Sequence, residues 1–109
     1  MLPYEWDVYL SGPLTSTGDL ETNKQVFAKW AAVMRGEGLT VFSPPEDEEP
    51  GLEWKDYIRR DLTILPRCRK LVMLPDWTLS RGARLERYVA MEIGMPITTL
   101  AGMYDVAAG

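Results

Sequence analysis

One feature constrains this chain more than any other: short runs of aliphatic, β-branched and aromatic residues alternate with stretches whose apolar residues recur every three or four positions. Trp6-Asp7-Val8-Tyr9-Leu10 reads as a strand ending in the turn-prone Ser11-Gly12-Pro13. A helix follows, capped by Asp19 or Thr22 and running to about Arg35. It carries Val26, Phe27, Trp30, Val33 and Met34 on one face and ends at Gly36 and Gly38. Leu39-Thr40-Val41-Phe42 is a second strand, closed by Ser43-Pro44-Pro45. A second helix from about Trp54 to Leu65 places Trp54, Tyr57, Ile58, Asp61, Leu62 and Leu65 on one stripe. Leu71-Val72-Met73-Leu74 is an unbroken apolar run, the pattern of a strand covered on both faces. A third helix starts after Ser80 and stops at Gly94, and a last strand spans about Pro96 to Leu100. The tail from Ala101 to Gly109 carries no readable pattern.

Strands and helices in this alternation predict an α/β domain with parallel strands joined by right-handed crossovers. A chain of 109 residues has the size of one domain, so residues 1–109 are read as a single unit. The expectation is a small doubly wound, flavodoxin- or Rossmann-like three-layer domain with a parallel sheet of four to five strands in order 2-1-3-4(-5). Such sheets bind ligands beyond the carboxyl ends of their strands where the strand order reverses, here between strands 1 and 3. A site is therefore expected at Ser11-Gly12-Pro13 and from Asp76 to Gly82.

Composition narrows the chemistry. With no histidine, Ser-His-Asp and Cys-His catalysis are excluded, and any acid or base must be a carboxylate, Tyr or Lys. A single cysteine, Cys68, makes no internal disulfide and is expected to be a small, buried or half-buried apolar residue. The first residues lack the basic region and apolar run of a signal peptide, so a cytoplasmic location is expected. A net charge of −4 argues against nucleic acid as the partner, and nothing in the pattern points to a membrane. No metal or other cofactor is expected: the acidic Glu46 to Glu49 run reads as a solvated loop rather than a cage. The charge is uneven, with 3 basic and 10 acidic residues in 1–54 but 9 basic and 4 acidic in 55–87. This asymmetry is read as a local anion pocket in preference to two solvated faces, because Arg60, Arg81 and Arg84 bracket Asp61 and the Ser80 helix start.

Ser80-Arg81-Gly82-Ala83-Arg84-Leu85-Glu86 can be an anion site, with Ser80 capping, free N–H groups at Arg81, Gly82 and Ala83, and Gly82 admitting a ligand to the backbone. It reads equally as a plain capped helix. Glu86 falls on the small, apolar face of that helix, and Asp61 interrupts the apolar stripe of the second. Carboxylates are rarely buried unpaired. Each is thus either a structural ion-pair member, with Arg60 or Arg81 the candidates for Glu86, or a reactive group. Trp77 can stack on a base or pack; Asp76 can contact sugar hydroxyls or cap a turn. Trp54 and Tyr57 read as core or interface.

Tyr9-Leu10-Ser11-Gly12-Pro13, Arg60-Asp61-Leu62 and Ser80-x-Gly82-x-x-x-Glu86, followed by Ala90 and Gly94-Met95-Pro96-Ile97, resemble the nucleoside 2-deoxyribosyltransferase superfamily. The spacing is most similar to the 2′-deoxynucleoside 5′-monophosphate N-glycosidases and to small phage-type members. The resemblance implies Glu86 as the nucleophile on C1′ of the sugar, Asp61 assisting base departure or contacting the sugar, and Tyr9 orienting the nucleophile. It implies phosphate or sugar contacts from Ser11, Gly12, Ser80 and Gly82. Where Pro13 departs from the pattern, Arg81 or Arg84 can replace a cation. The expected function is cleavage of the N-glycosidic bond of a (deoxy)nucleoside 5′-monophosphate, by hydrolysis or transfer. The expected partners are a small nucleotide or nucleoside and further copies of the chain in a homodimer or larger assembly. The alternatives are a non-catalytic module binding a nucleotide or an ADP-ribose-like ligand, and an interaction domain in which both acids are structural.

Overall fold

A computed structural model of the chain describes residues 3–15, 18–47 and 51–104. Strands β1 (Trp6–Ser11), β2 (Val41–Phe42), β3 (Cys68–Met73) and β4 (Ile97–Thr99) form one sheet. All its pairings are parallel and the order is β2-β1-β3-β4. Helices α1 (Leu20–Gly36), α2 (Trp54–Ile64) and α3 (Arg81–Glu92) make the crossovers. This is the doubly wound arrangement expected, with four strands among the described residues. After β4 the patternless tail forms a four-residue helix, α4 (Leu100–Met103), capped by the Thr99 side chain on the Gly102 N–H; residues 105–109 lie outside the described residues.

Alternation along the central strands sorts the core into two layers. Val8, Leu10, Val72 and Leu74 face α1, packing on Phe27, Ala31 and Met34. Tyr9, Leu71 and Met73 face the opposite way, toward Ala83 and Ala90 of α3 and Ile64 at the end of α2. Side chains two apart on a strand share a face, so Ser11 lies on the same side as Tyr9. That parity decides which layer holds the site.

The helix ends follow local chemistry. Asp19 caps α1 through a 3.0 Å bond from the Thr22 N–H. Ser80 caps α3 by accepting from the Ala83 N–H at 3.2 Å. α2 opens with a reciprocal pair, Glu53 and Asp56, and gives way at Leu65 to a 3₁₀ turn containing Pro66. Two expectations shift. Val33, placed on the buried face of α1, is 38% exposed, and Ala31 is buried instead. Glu46, expected in a solvated loop, joins a 3₁₀ turn (Pro44–Asp47) and pairs with Arg35 at 2.6 Å. Glu48 and Glu49 of that loop lie outside the described residues.

Candidate active site

Beyond the carboxyl end of β1, where β1 and β3 send their connections to opposite sides, the protein encloses a cavity of about 380 Å³. Its lining draws on the end of β1 (Leu10, Ser11, Gly12), the start of α3 (Ser80 to Ala83, and Glu86), the α2 face (Trp54, Tyr57, Ile58, Arg60, Asp61), Pro44 and Pro45, and Leu14, Leu20 and Phe27. The volume is that of a small-molecule pocket, and the mixture of apolar walls with a few convergent polar groups is what such pockets need.

Glu86 is 5% exposed and is held by two hydroxyls from β1. Tyr9 Oη donates to Oε2, and Ser11 Oγ donates to Oε1 at 2.7 Å. Tyr9 and Ser11 are alternate residues of one strand, so the sheet itself fixes their spacing. Ala83, Glu86 and Ala90 are the buried positions of α3, and two of the three are alanines; the helix can therefore lie close to the strands and bring Glu86 within reach of the hydroxyls. Among the described residues no cation pairs with Glu86. Burial raises its pKa to about 7 although the two hydroxyls oppose the rise, and Asp61 adds to it. Tyr9 is fully buried, and desolvation together with the Glu86 charge pushes its phenol well above its ordinary value. It stays a donor.

Asp61 enters from α2 and is 7% exposed. Arg60 holds its Oδ1 with Nε at 3.1 Å and Nη2 at 3.0 Å. Desolvation raises the Asp61 pKa, while the Arg60 contact lowers it. The alternative of an ion pair between Glu86 and Arg60 or Arg81 is not seen among the described residues: Arg60 pairs with Asp61, and Arg81 stacks over the Trp54 ring at 4.1 Å.

Of the residues singled out in the sequence, Ser11, Gly12, Asp61, Ser80, Arg81, Gly82 and Glu86 come together in the cavity lining. Tyr9 lies beneath it, behind Glu86. Gly12 is required by space: a Cβ there would lie 2.8 Å from the Leu74 Cβ. At Gly82 a Cβ would make ordinary contacts, 3.5 Å to Ile58 and 3.7 Å to Trp54. Asp76 and Trp77 do not line the cavity. Asp76 takes φ 65°, turning the chain into a 3₁₀ turn (Trp77–Leu79), and Trp77 packs on the core layer that holds Tyr9 and Leu71, with Arg87 over its ring. Arg84 turns back to the Ser80 carbonyl at 3.4 Å. Conversely, Trp54 and Tyr57, read as core or interface, line the cavity; their helical periodicity marked the right face but not what that face meets. Cys68 is buried, points its thiol at the Ile64 carbonyl and has its pKa pushed up to about 12 by desolvation, so it is an inert core residue. Among the described residues no three His, Cys, Asp or Glu side chains gather as metal ligands, and no helix is long and apolar enough to cross a membrane.

The fold and site together define a doubly wound α/β protein with two inward carboxylates at its switch point. The chain belongs to the family described as a domain of unknown function, DUF4406, whose pattern matches residues 6–99. Among solved structures, the TIR domain of the Toll-related receptor TRR-2 from the lower metazoan Hydra magnipapillata is similar. Its TM-score is 0.60 at 14% identity, over 86% of this chain and 68% of that one. A likeness at this identity speaks for the fold alone. No curated protein matches at a significant level.

Proposed function

We propose that the chain is a nucleotide N-glycosidase of the nucleoside 2-deoxyribosyltransferase type, acting on a (deoxy)nucleoside 5′-monophosphate through a glycosyl ester on Glu86. The observation that carries this reading is a buried carboxylate whose two oxygens both accept hydroxyl bonds, in a cavity that a second carboxylate also lines. Donors on both oxygens suit an ionised Glu86, the state a nucleophile needs, and burial keeps it more basic than a solvated carboxylate.

In the first half-reaction a Glu86 oxygen attacks C1′, the C1′–N bond breaks, and its electrons leave with the base, which takes the Asp61 proton. In the second half-reaction Asp61 takes a proton from water, the oxygen of that water bonds to C1′, and the ester bond returns its electrons to Glu86. A second base in place of water gives transfer. Such a division between a nucleophile and an acid–base group is the logic of retaining glycoside cleavage. The start of α3 suits the phosphate: Arg81 and Gly82, in its first turn at the positive dipole end, line the cavity. Trp54 and Tyr57 offer rings on which a base can stack.

The test is to incubate the protein with deoxy- and ribonucleoside 5′-monophosphates and measure free base by chromatography. Base should appear with at least one nucleotide, and a trapped sugar adduct should map to Glu86 by mass spectrometry. A nucleotide that raises the melting temperature without any base release from the whole panel would replace this reading with that of a binding module.

A further inference from the structure

Arg60 sits where two parts of the cavity wall meet, α2 and the Pro44–Asp47 turn. Besides its two bonds to Asp61 Oδ1, its Nη1 donates to the Asp47 carbonyl and its Nη2 reaches the Pro44 carbonyl at 3.4 Å. The guanidinium also lies 5.3 Å from the centre of the Tyr57 ring. The other cation of the lining differs: among the described residues Arg81 makes no hydrogen bond or ion pair, only its stack on Trp54. One guanidinium is held by a ring alone, and the other by a carboxylate and two backbone carbonyls.

The Arg60–Asp61 contact is not one that a helix provides unaided. Adjacent residues point about 100° apart around the axis, so their side chains do not face each other. Arg60 must fold back across the helix surface to reach its neighbour. The loop carbonyls at Pro44 and Asp47 supply an anchor for that bend. A planar fork with five N–H donors can serve both sides at once, which an ammonium on a single stem cannot.

Resting on the glycosidase reading above, we propose that Arg60 is a positioning residue that joins Asp61 to the Pro44–Asp47 wall, so that the acid–base carboxylate keeps its place only while that wall is seated. Four groups face Asp61: Arg60 on its own helix, Asp47 from the loop, and Glu86 and Tyr9 from α3 and β1. Arg60 is the only cation among them, and it alone opposes the desolvation of Asp61. Taking it away leaves a buried acid with nothing to favour its charged form.

The experiment compares the intact protein with Arg60→Met and Arg60→Lys by carboxyl-detected NMR titration and by hydrogen exchange at the Glu46 and Asp47 amides. Arg60→Met should raise the proton affinity of Asp61 about tenfold or more and speed exchange at both amides. Arg60→Lys should return most of the titration but not the slow exchange, and it keeps the comparison open if the Met variant is unstable. With a substrate in hand, the limb of the rate–pH profile that follows Asp61 should move to higher pH in Arg60→Met, with kcat falling more than KM changes. Unchanged Asp61 titration in Arg60→Met, or unchanged exchange at Glu46 and Asp47 in both variants, overturns the proposal. Absence of base release from the wild-type protein overturns the glycosidase reading alone, because the titration and exchange need no turnover.

Discussion

Glu86 and Asp61 approach one cavity from different walls and are held by opposite means. Glu86 hangs from α3 and is fixed by two neutral hydroxyls of a sheet strand, whereas Asp61 sits on α2 and is fixed by a full positive charge from the next residue. Burial raises the proton affinity of both. Hydroxyls locate a carboxylate while leaving it basic, and a cation locates it while drawing it toward ionisation. The first half-reaction needs the proton on Asp61 and not on Glu86, an arrangement that the hydroxyls on Glu86 favour and the Arg60 charge beside Asp61 opposes.

The largest effect expected is from Glu86→Gln, which keeps the shape but removes the attacking oxygen. Base release under single-turnover conditions should fall by about 10³-fold or more. Release at the wild-type rate would remove the asymmetry between the two walls.

Next comes a pH dependence of stability. Glu86 titrates at about 7 in the folded protein against an ordinary value of 4.5. Below pH 4.5 both the folded and the unfolded chain hold the proton. Between 4.5 and 7 the unfolded chain loses it while the folded one keeps it. Stability therefore declines as pH rises through this window, by about 3 kcal/mol in all. Denaturant unfolding across pH 4 to 8 should show this decline in the wild type and lack it in Glu86→Gln.

Removing the hydroxyls tests the neutral side directly. Tyr9→Phe and Ser11→Ala should each cost about 1–3 kcal/mol, since a buried carboxylate oxygen loses its donor, and each should move the Glu86 titration upward. A downward movement in either variant would contradict the role given to these donors. The smallest effect is at Ser80. Ser80→Ala should lower stability by about 1 kcal/mol through the lost cap, read as a drop in melting temperature. The Glu86 titration should not move.

How much of this was legible depended on the range of the forces involved. Sheet order followed from the alternation of patterns, and the caps at Asp19 and Ser80 were readable because a cap is local chemistry within three residues. Tyr9, Ser11 and Glu86 could be named because strand parity and helical spacing put them on inward faces. The partner of Asp61 was less accessible: Arg60 reaches it only by bending back under two carbonyls of a distant loop. Trp54 and Tyr57 line the cavity, which their pattern does not reveal, because an apolar helix face looks the same against a core and against a cavity. Asp76 and Trp77 stand just after β3, the place a site is expected, but Asp76 makes a left-handed turn and Trp77 packs on the core.

The sheet's outline has a consequence for how copies of the chain can meet. Its two central strands carry six residues each, but the outer strands β2 and β4 carry only two and three. An incoming strand would find few unpaired backbone groups in line on either border, too short a template for β-type accretion. Strand-to-strand pairing between copies is thereby disfavoured, and the strand that bears Tyr9 and Ser11 lies between β2 and β3.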